Sequence, residues 1–157
     1  RADRATVYGE LVPSSITIPS HTVTPGTEVI DGITIDTVVF RDCEVPVQLA
    51  LRLPELGLLV TGDLIYSGSH VYVHKAVDGW VSALQGLKAS NYETFLPGHG
   101  PVADKNEIQA NIDYLRAATK IAAETQDPEA YKAALLAAFP DRKAPGIIDI
   151  YAHALFA

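Results

Sequence analysis

Two side chains with metal-binding chemistry each follow a short apolar run of the sequence. Asp63 follows "LLVTG", and His99 stands between Gly98 and Gly100 in "TFLPGHGPV". Each lies where a predicted strand ends and a loop can present it, and carboxylate oxygen and imidazole nitrogen both bind zinc, manganese or iron. The flanking glycines leave room beside the imidazole, either for a metal or for a tight buried turn. Each residue is a candidate metal ligand, although Asp63 could instead cap a turn and a single histidine is commonly structural.

The first half of the chain has the pattern of β-strands that could position Asp63. Five short segments are rich in Val, Ile, Thr and Leu and are separated by Pro, Gly and acidic residues. They are "ATVYGELV", "SSITIPS", "GITIDTVVF", "VQLALRLP" and "GLLVTGD". Asp31-Gly32 predicts a hairpin turn, and "LPELG" predicts a tight turn between the last two segments.

The second half of the chain has the pattern of helices. In "DGWVSALQGLKAS" the apolar residues Trp80, Leu84 and Leu87 repeat at the spacing of one helix face. Asp104 and Glu107 form a predicted capping box before the long helix "NEIQANIDYLRAATKIAAET". The short segment "ETFLP" between these two helices predicts one more strand, which would end at the His99 turn.

Two further helices complete the predicted organisation. Asp127-Pro128 has the form of an N-cap followed by proline at the first helical position, and "GIIDIYAHALF" predicts a last helix. The order of strands, helix, short strand and helices predicts an α/β fold of the layered α+β kind. We expect a mixed or antiparallel sheet covered by the C-terminal helices, in a single domain over 1–157.

Composition limits the classes of partner. The chain has 157 residues, is 48% hydrophobic and carries a net charge of -7, so it can build a core but has no basic surface for nucleic acid. Its single cysteine, Cys43, cannot form an internal disulfide and leaves the compartment open. No apolar run has transmembrane length, so we expect a soluble protein with neither nucleic acid nor a membrane as its partner.

The two polar motifs occur in a recognisable order. The segment "LRLPELGLLVTGD", a connecting segment, "ETFLPGHGPV" and then a long helix resemble the C-terminal half of the metallo-β-lactamase fold. The resemblance extends over roughly Thr27 to Phe156. It implies half of a four-layered αββα sandwich, with metals at the edge where the two sheets meet. It also implies that Asp63 bridges two metals and that His99 binds the second of them.

The sequence departs from that family in two ways. The H-x-H-x-D-H cluster, which supplies most of the family's ligands, is absent, since His70 and His74 are four apart with no Asp-His following. The chain begins at Arg1 and contains no methionine, so we expect a piece of a longer protein whose N-terminal half carries that cluster. Glu44 stands where the family has a further ligand histidine. It could be a metal ligand, a salt-bridge partner or the mark of a reduced metal site.

Other polar residues near these motifs have less specific patterns. His70, Tyr72 and His74 alternate with valines in "SHVYVH", which predicts one face of an extended segment. His70 could contact substrate or support a ligand from there, or the segment could be a solvent-facing strand edge. Cys43 is expected to be a buried small apolar residue, and His21 is expected to lie in a loop or at a strand end. Trp80 is expected in the core.

Two functions remain open at this point. The resemblance implies a metal-dependent hydrolase that cleaves an ester, lactone, thioester, amide or phosphoester of a small molecule with a metal-bound hydroxide. Zinc or another divalent transition metal would be its cofactor, two ions in the intact protein, and the chain alone would be inactive with its site incomplete. The alternative is a non-catalytic half-domain that acts in assembly or partner binding. In both cases we expect association with the N-terminal half or with a second copy as a homodimer, because one sheet face would otherwise stay uncovered.

Overall fold

A five-stranded sheet with helices packed on one face forms the body of the molecule. The computed structural model describes Pro13, Ser15 and residues 17–156. The strands are β1 (Gly26–Ile30), β2 (Ile33–Arg41), β3 (Val47–Leu53), β4 (Leu58–Tyr66) and β5 (Thr94–His99). The helices are α1 (Asp78–Ala89), α2 (Lys105–Glu124), α3 (Pro128–Ala138) and α4 (Gly146–Leu155). The layered α/β prediction is therefore confirmed.

The strands lie in the sheet in their order along the chain, from β1 to β5. The pairs β1–β2, β2–β3 and β3–β4 are antiparallel, whereas β4 and β5 are parallel and are connected through α1. The sheet is thus mixed, with its only parallel pair among the described strands carrying the two candidate ligands. Of the two N-terminal predicted strands, 5–12 lies outside the described residues, and residues 17–20 form no strand.

Local turn chemistry fixes the antiparallel connections. Asp31 and Gly32 have φ angles of 50° and 82°, as a two-residue hairpin turn of the type that twists with its strands requires. A single 3₁₀ turn over Pro54–Leu56 joins β3 to β4 and ends at Gly57, whose φ is 60°. Both predicted turns are confirmed. They fix the order of the antiparallel strands up to β4, which then pairs with β5.

The helix starts also follow the sequence. The Asp104 carboxylate accepts hydrogen bonds from the backbone N–H groups of Asn106 and Glu107, at 2.8 and 3.1 Å, and so caps α2. Asp127 caps α3 by accepting from Ala130, with Pro128 at the first helical turn. One half of the predicted capping box differs, because the Glu107 carboxylate accepts from a more distant loop instead of returning to the cap.

The two faces of the sheet differ in cover. On the helix side, Ala50, Leu59 and Phe95 are almost completely buried beneath α1 and α2. On the other side, Val47 and Leu49 remain 52% and 43% exposed. Cross-strand partners share a face, and the register pairs these residues with Arg41 and Val39. An apolar sheet face therefore lies open in the part of the chain that the structure describes, as the half-sandwich prediction requires.

Candidate metal centre

Asp63 and His99 meet at one edge of the sheet. Because β4 and β5 run parallel, the carboxyl ends of both strands lie at the same edge. The Asp63 Oδ1 and His99 Nε2 atoms are 3.4 Å apart, and the two side chains are 45% and 46% exposed. The structure therefore brings the two candidate ligands together at one edge of the sheet, and both remain accessible from solvent.

The strand that carries Asp63 extends further than its sequence suggested. β4 was expected to end at Gly62-Asp63 but continues to Tyr66, with irregular register where it pairs with β5. Gly62 has a φ of 53°, a left-handed conformation that glycine adopts readily. Such an irregularity bends a strand and re-aims a side chain. Asp63 therefore projects from within a bent strand, while His99 is the last residue of β5.

Close backbone approach explains the glycines on each side of His99. A Cβ at Gly98 would overlap the Asp63 carboxylate, and a Cβ at Gly100 would overlap the carbonyl oxygen of Ser67. Gly100 also has a φ of 87°, which side-chain-bearing residues rarely adopt. The motif "PGHG" therefore lets the turn after β5 lie directly against the end of β4.

The side chain of Gln48 on β3 holds the bent part of β4. The backbone pairing between β3 and β4 extends only from Leu53 with Leu58 to Leu51 with Val60. Beyond these residues, the side chain of Gln48 bonds to the β4 backbone in place of the β3 main chain. With its amide oxygen facing β4, it accepts from the N–H groups of Asp63 at 3.2 Å and Leu64 at 2.8 Å.

Tyr66 contributes a contact to His99 that the sequence analysis missed. Its ring stacks on the imidazole, with centroids 4.6 Å apart and planes inclined by 13°. Its hydroxyl donates a hydrogen bond of 3.0 Å to Glu44 Oε2. Burial, followed by the charges of Glu44 and Asp63, raises the pKa of the tyrosine, which therefore stays a neutral donor. In the sequence, the one sign of this contact was that Tyr66 ends the segment "DLIY" directly after Asp63.

Glu44 is a second carboxyl group electrostatically coupled to Asp63. Burial and then the Asp63 charge raise the pKa of Glu44 to about 7, against a lowering effect of the Tyr66 hydroxyl. Within the described ranges, no group of three His, Cys, Asp or Glu side chains is placed to hold a metal ion. The described residues therefore bring two candidate ligands together, Asp63 and His99, and the metal-binding roles of both, like that of Glu44, stay predictions.

The burial of His70 contradicts a solvent-facing strand edge and a direct substrate contact, while a supporting role for a ligand stays a prediction. Its side chain is fully buried, and its Nδ1 lies 2.9 Å from the Tyr114 hydroxyl on α2. Burial and then the positive charge of Arg142 lower the pKa of this histidine. Val71 and Val73 are buried as well, and residues 70–74 form no strand, so the alternating pattern does not produce two faces. His70 is a core histidine without a surface that a substrate could touch.

The remaining expectations about single residues agree with the structure. Cys43 is buried, and burial raises the pKa of its thiol to about 11. His21 lies exposed in a loop. Trp80 is fully buried, and its indole N–H donates to the carbonyl of Leu64 at 2.9 Å. That bond ties α1 to the residue immediately after Asp63.

With this geometry, the chain has the fold of one half of a metallo-β-lactamase sandwich, shown by its likeness to solved structures. A metallo-beta-lactamase family protein from Thermus thermophilus matches 85% of this chain with a TM-score of 0.60 and 15% identity. A beta-lactamase domain protein from Burkholderia ambifaria matches 99% of it, with a TM-score of 0.57 and 18% identity. A metallo-beta-lactamase from Pontibacter korlensis matches 73%, with a TM-score of 0.53 and 20% identity.

The matches are partial with respect to those structures. The chain spans 54%, 47% and 51% of the lengths of the Pontibacter, Thermus and Burkholderia proteins. No family model and no curated protein sequence matches the chain. Among the described helices, none combines the length and the apolar character needed to cross a membrane.

Proposed function

We propose that Asp63 and His99 are ligands of a divalent transition metal in a hydrolase that cleaves an ester, lactone, thioester or amide. The distance between the two side chains carries the proposal. Two ligands of one tetrahedral zinc, each at about 2.1 Å, lie about 3.4 Å from each other. Asp63 Oδ1 and His99 Nε2 are 3.4 Å apart. The pair therefore fits a shared zinc ion, although it supplies only part of a coordination sphere.

A direct hydrogen bond is a weaker account of this pair. Hydrogen bonds between a nitrogen donor and oxygen are typically about 2.7–3.2 Å long, and those between charged groups are shorter still. At 3.4 Å the imidazole and the carboxylate do not reach that range. Both side chains are also nearly half exposed, so an ion can enter without rearrangement of the core.

The surrounding residues hold Asp63 and His99 in positions suited to metal binding. A divalent metal, once bound, would acidify water and polarise a substrate carbonyl. Tyr66 keeps the imidazole of His99 in one plane by stacking, and Gln48 holds the backbone at Asp63. Gly98 permits the approach of the two strands. Glu44 is the candidate third ligand from this chain, and it would have to lose its proton to bind.

The rest of the site would come from outside the chain. Catalytic zinc sites usually have about three protein ligands, and the described residues bring two candidate ligands together. The chain spans only about half the length of the solved structures it resembles. We propose that a second half of the same sandwich, or a second copy of this chain, packs on the open sheet face around Leu49. Burial of apolar surface there would contribute about 25 cal/mol per Å².

A non-catalytic half-domain is the second candidate function. The absence of a three-ligand group from the described residues favours it, as does Glu44 at a position where the resemblance expects histidine. On this hypothesis the open sheet face would serve assembly alone. Metal binding separates the two candidates, because only the hydrolase needs the Asp63–His99 pair.

Titration of the chain with Zn²⁺ in a calorimeter tests the first proposal. We expect binding that weakens at least about 10-fold in His99→Gln and in Asp63→Asn, since each removes one of two ligands. His153→Gln is the matched control, because His153 is an exposed histidine on α4. Equal affinity in His99→Gln and His153→Gln would overturn the assignment. The metal-loaded chain alone should hydrolyse neither a lactone nor a nitrophenyl ester, and chelator-sensitive turnover would contradict this.

Sedimentation at micromolar concentration tests the association. We expect species heavier than the 16.8 kDa chain, and a shift toward monomer in Leu49→Lys, which places a charge on the open face. Ile150→Lys is the matched control, because Ile150 is 71% exposed on α4, on the helix side of the sheet. A monodisperse monomer at these concentrations would mean that the open face needs no second copy.

A further inference from the structure

A polar cluster holds the turn that follows β4. It consists of Asn111 on α2, which is buried, and of Glu107 on α2 and Arg142 in the segment between α3 and α4, which are partly buried; we call it the polar clamp. Its hydrogen bonds go to the main chain from Tyr66 to Ser69. This segment begins at the tyrosine that stacks on His99. None of the three residues was a candidate in the sequence analysis.

The side chain of Asn111 hydrogen-bonds to both backbone groups of Tyr66, as the main chain of a neighbouring strand does. Its side-chain oxygen accepts from the Tyr66 N–H at 2.9 Å, and its nitrogen donates to the Tyr66 carbonyl at 2.9 Å. Asn111 is completely buried on a helix face that otherwise presents Ile108, Ile112 and Leu115. A buried amide is costly unless it is fully hydrogen-bonded, and here its bonds are made to the last residue of β4.

Arg142 and Glu107 extend the hold to the following residues. Arg142 Nη1 donates to the Ser69 carbonyl at 2.5 Å and to the Tyr66 carbonyl at 3.3 Å. Its Nη2 donates to Glu107 Oε1 at 3.0 Å, and the same oxygen accepts from the Gly68 N–H at 3.2 Å. The side chain of Arg142 is only 10% exposed. Charged hydrogen bonds with this little exposure are among the stronger ones in proteins.

The clamped segment touches His99 at two points. The Tyr66 ring lies flat against the imidazole, and the Ser67 N–H donates to the His99 carbonyl at 2.8 Å. Gly100 leaves room for that second contact. A shift of the segment would therefore move the ring that faces His99 and the backbone that bears it together.

We propose that Asn111 and Arg142 are positioning residues for His99, acting through Tyr66 and Ser67. They touch neither a ligand nor a substrate, and their effect on metal binding rests on the proposed role of His99. Residues that orient metal ligands typically change metal affinity about 10- to 100-fold when they are mutated. The geometry assigns to the polar clamp an effect of this size on Zn²⁺ binding.

The test measures the position of the His99 ring in the absence of metal and then the affinity for Zn²⁺. Stacking on Tyr66 shifts the ring protons of His99 in the NMR spectrum, and Tyr66→Leu gives their values without the stack. In Arg142→Gln we expect the signals to move toward those of Tyr66→Leu and the Zn²⁺ dissociation constant to rise about 10-fold or more. Lys132→Gln is the control, since it breaks a 2.6 Å ion pair between α3 and α4 away from the turn.

The outcomes separate this proposal from the proposed function. Unchanged His99 signals in a folded Arg142→Gln would overturn it. If that variant does not fold, Glu107→Gln decides, because it removes the charge that pairs with Arg142 and keeps an acceptor oxygen. Signals that move in a chain without Zn²⁺ affinity would confirm the positioning and refute the metal role of His99. Signals that move equally in Lys132→Gln would refute positioning by the clamp.

Discussion

The β4–β5 pair and the β1–β2 hairpin represent two ways of building a sheet edge. In β4, Leu64 and Ile65 are fully buried, and α1 joins the strand to β5 and covers it. All five residues of β1 are exposed, and among the described strands β1 pairs with β2 alone, through the turn at Asp31. Because the parallel pair is held by packing from distant segments, it can position side chains accurately. The hairpin is held by local turn chemistry and leaves its surface free.

Polar groups divide between the two regions in the same way. Around the end of β4, side-chain amides and a guanidinium bind main-chain atoms in the interior, as Asn111 and Arg142 do. On the hairpin, Thr27 donates to Asp36 and Thr34 donates to Glu55, all on exposed surface. Buried hydrogen bonds to charged groups are stronger than exposed ones. We therefore expect substitutions near β4 to affect both stability and the site, and those on β1 to affect little.

Replacement of Trp80 should have the largest effect on stability. Trp80→Ala removes a fully buried ring and its bond to the Leu64 carbonyl. We expect a loss of about 3–5 kcal/mol in the free energy of unfolding, measured by urea denaturation. Val29→Ala on β1, where Val29 is 68% exposed, should change it by no more than about 0.5 kcal/mol. Similar losses in both variants would remove the contrast between the regions.

Two glycine substitutions should act with opposite signs. Gly98→Ala places a methyl group into the Asp63 carboxylate, so we expect a loss of about 1–3 kcal/mol by urea denaturation and weaker Zn²⁺ binding. Gly86→Ala on α1 meets no atom within 4 Å and should gain about 0.5–1 kcal/mol, because alanine favours helix. A stable Gly98→Ala variant with unchanged Zn²⁺ affinity would show that the two strands do not need this close approach.

Substitution of Glu44, which lies in the loop between β2 and β3, should change the pH dependence of stability. The pKa of Glu44 is raised from 4.5 to about 7 in the folded chain. Between these values the folded state keeps a proton that the unfolded state releases, so stability falls as pH rises through this window. Glu44→Gln stays neutral and should flatten the decline. Urea midpoints measured with chelator at about pH 5 and about pH 8 test this, and parallel profiles for the two proteins would contradict it.

Signals confined to a few neighbouring residues were readable from the sequence. Asp31-Gly32 gave the hairpin, and Asp104 and Asp127 gave helix starts, because each depends on turn or cap chemistry within about four residues. Asp63 and His99 were candidates because each follows a short apolar run, and the parallel pairing of β4 with β5 in the structure brings them together. The end of β4 was misplaced because Gly62 and Asp63 interrupt the apolar run without ending the strand.

Features that depend on distant partners were not readable. Asn111 bonds to a residue 45 positions away, and Arg142 to one 76 positions away. No local pattern in the sequence announces such bonds. His70 shows the converse error, since an alternating pattern suggested a surface position. The structure buries it instead, with its Nδ1 atom hydrogen-bonded to the hydroxyl of Tyr114 on a different element.

The buried position of Cys43 allows its reaction with a thiol reagent to report local opening of the loop between β2 and β3. The thiol is the only one in the sequence, it is buried, and its pKa of about 11 leaves little reactive thiolate near neutral pH. Alkylation must therefore wait until the loop between β2 and β3 opens. The labelling rate with a thiol reagent then measures how often that loop, which also carries Glu44, leaves its folded position. A ligand bound at Asp63 should slow that rate if it draws Glu44 into the site.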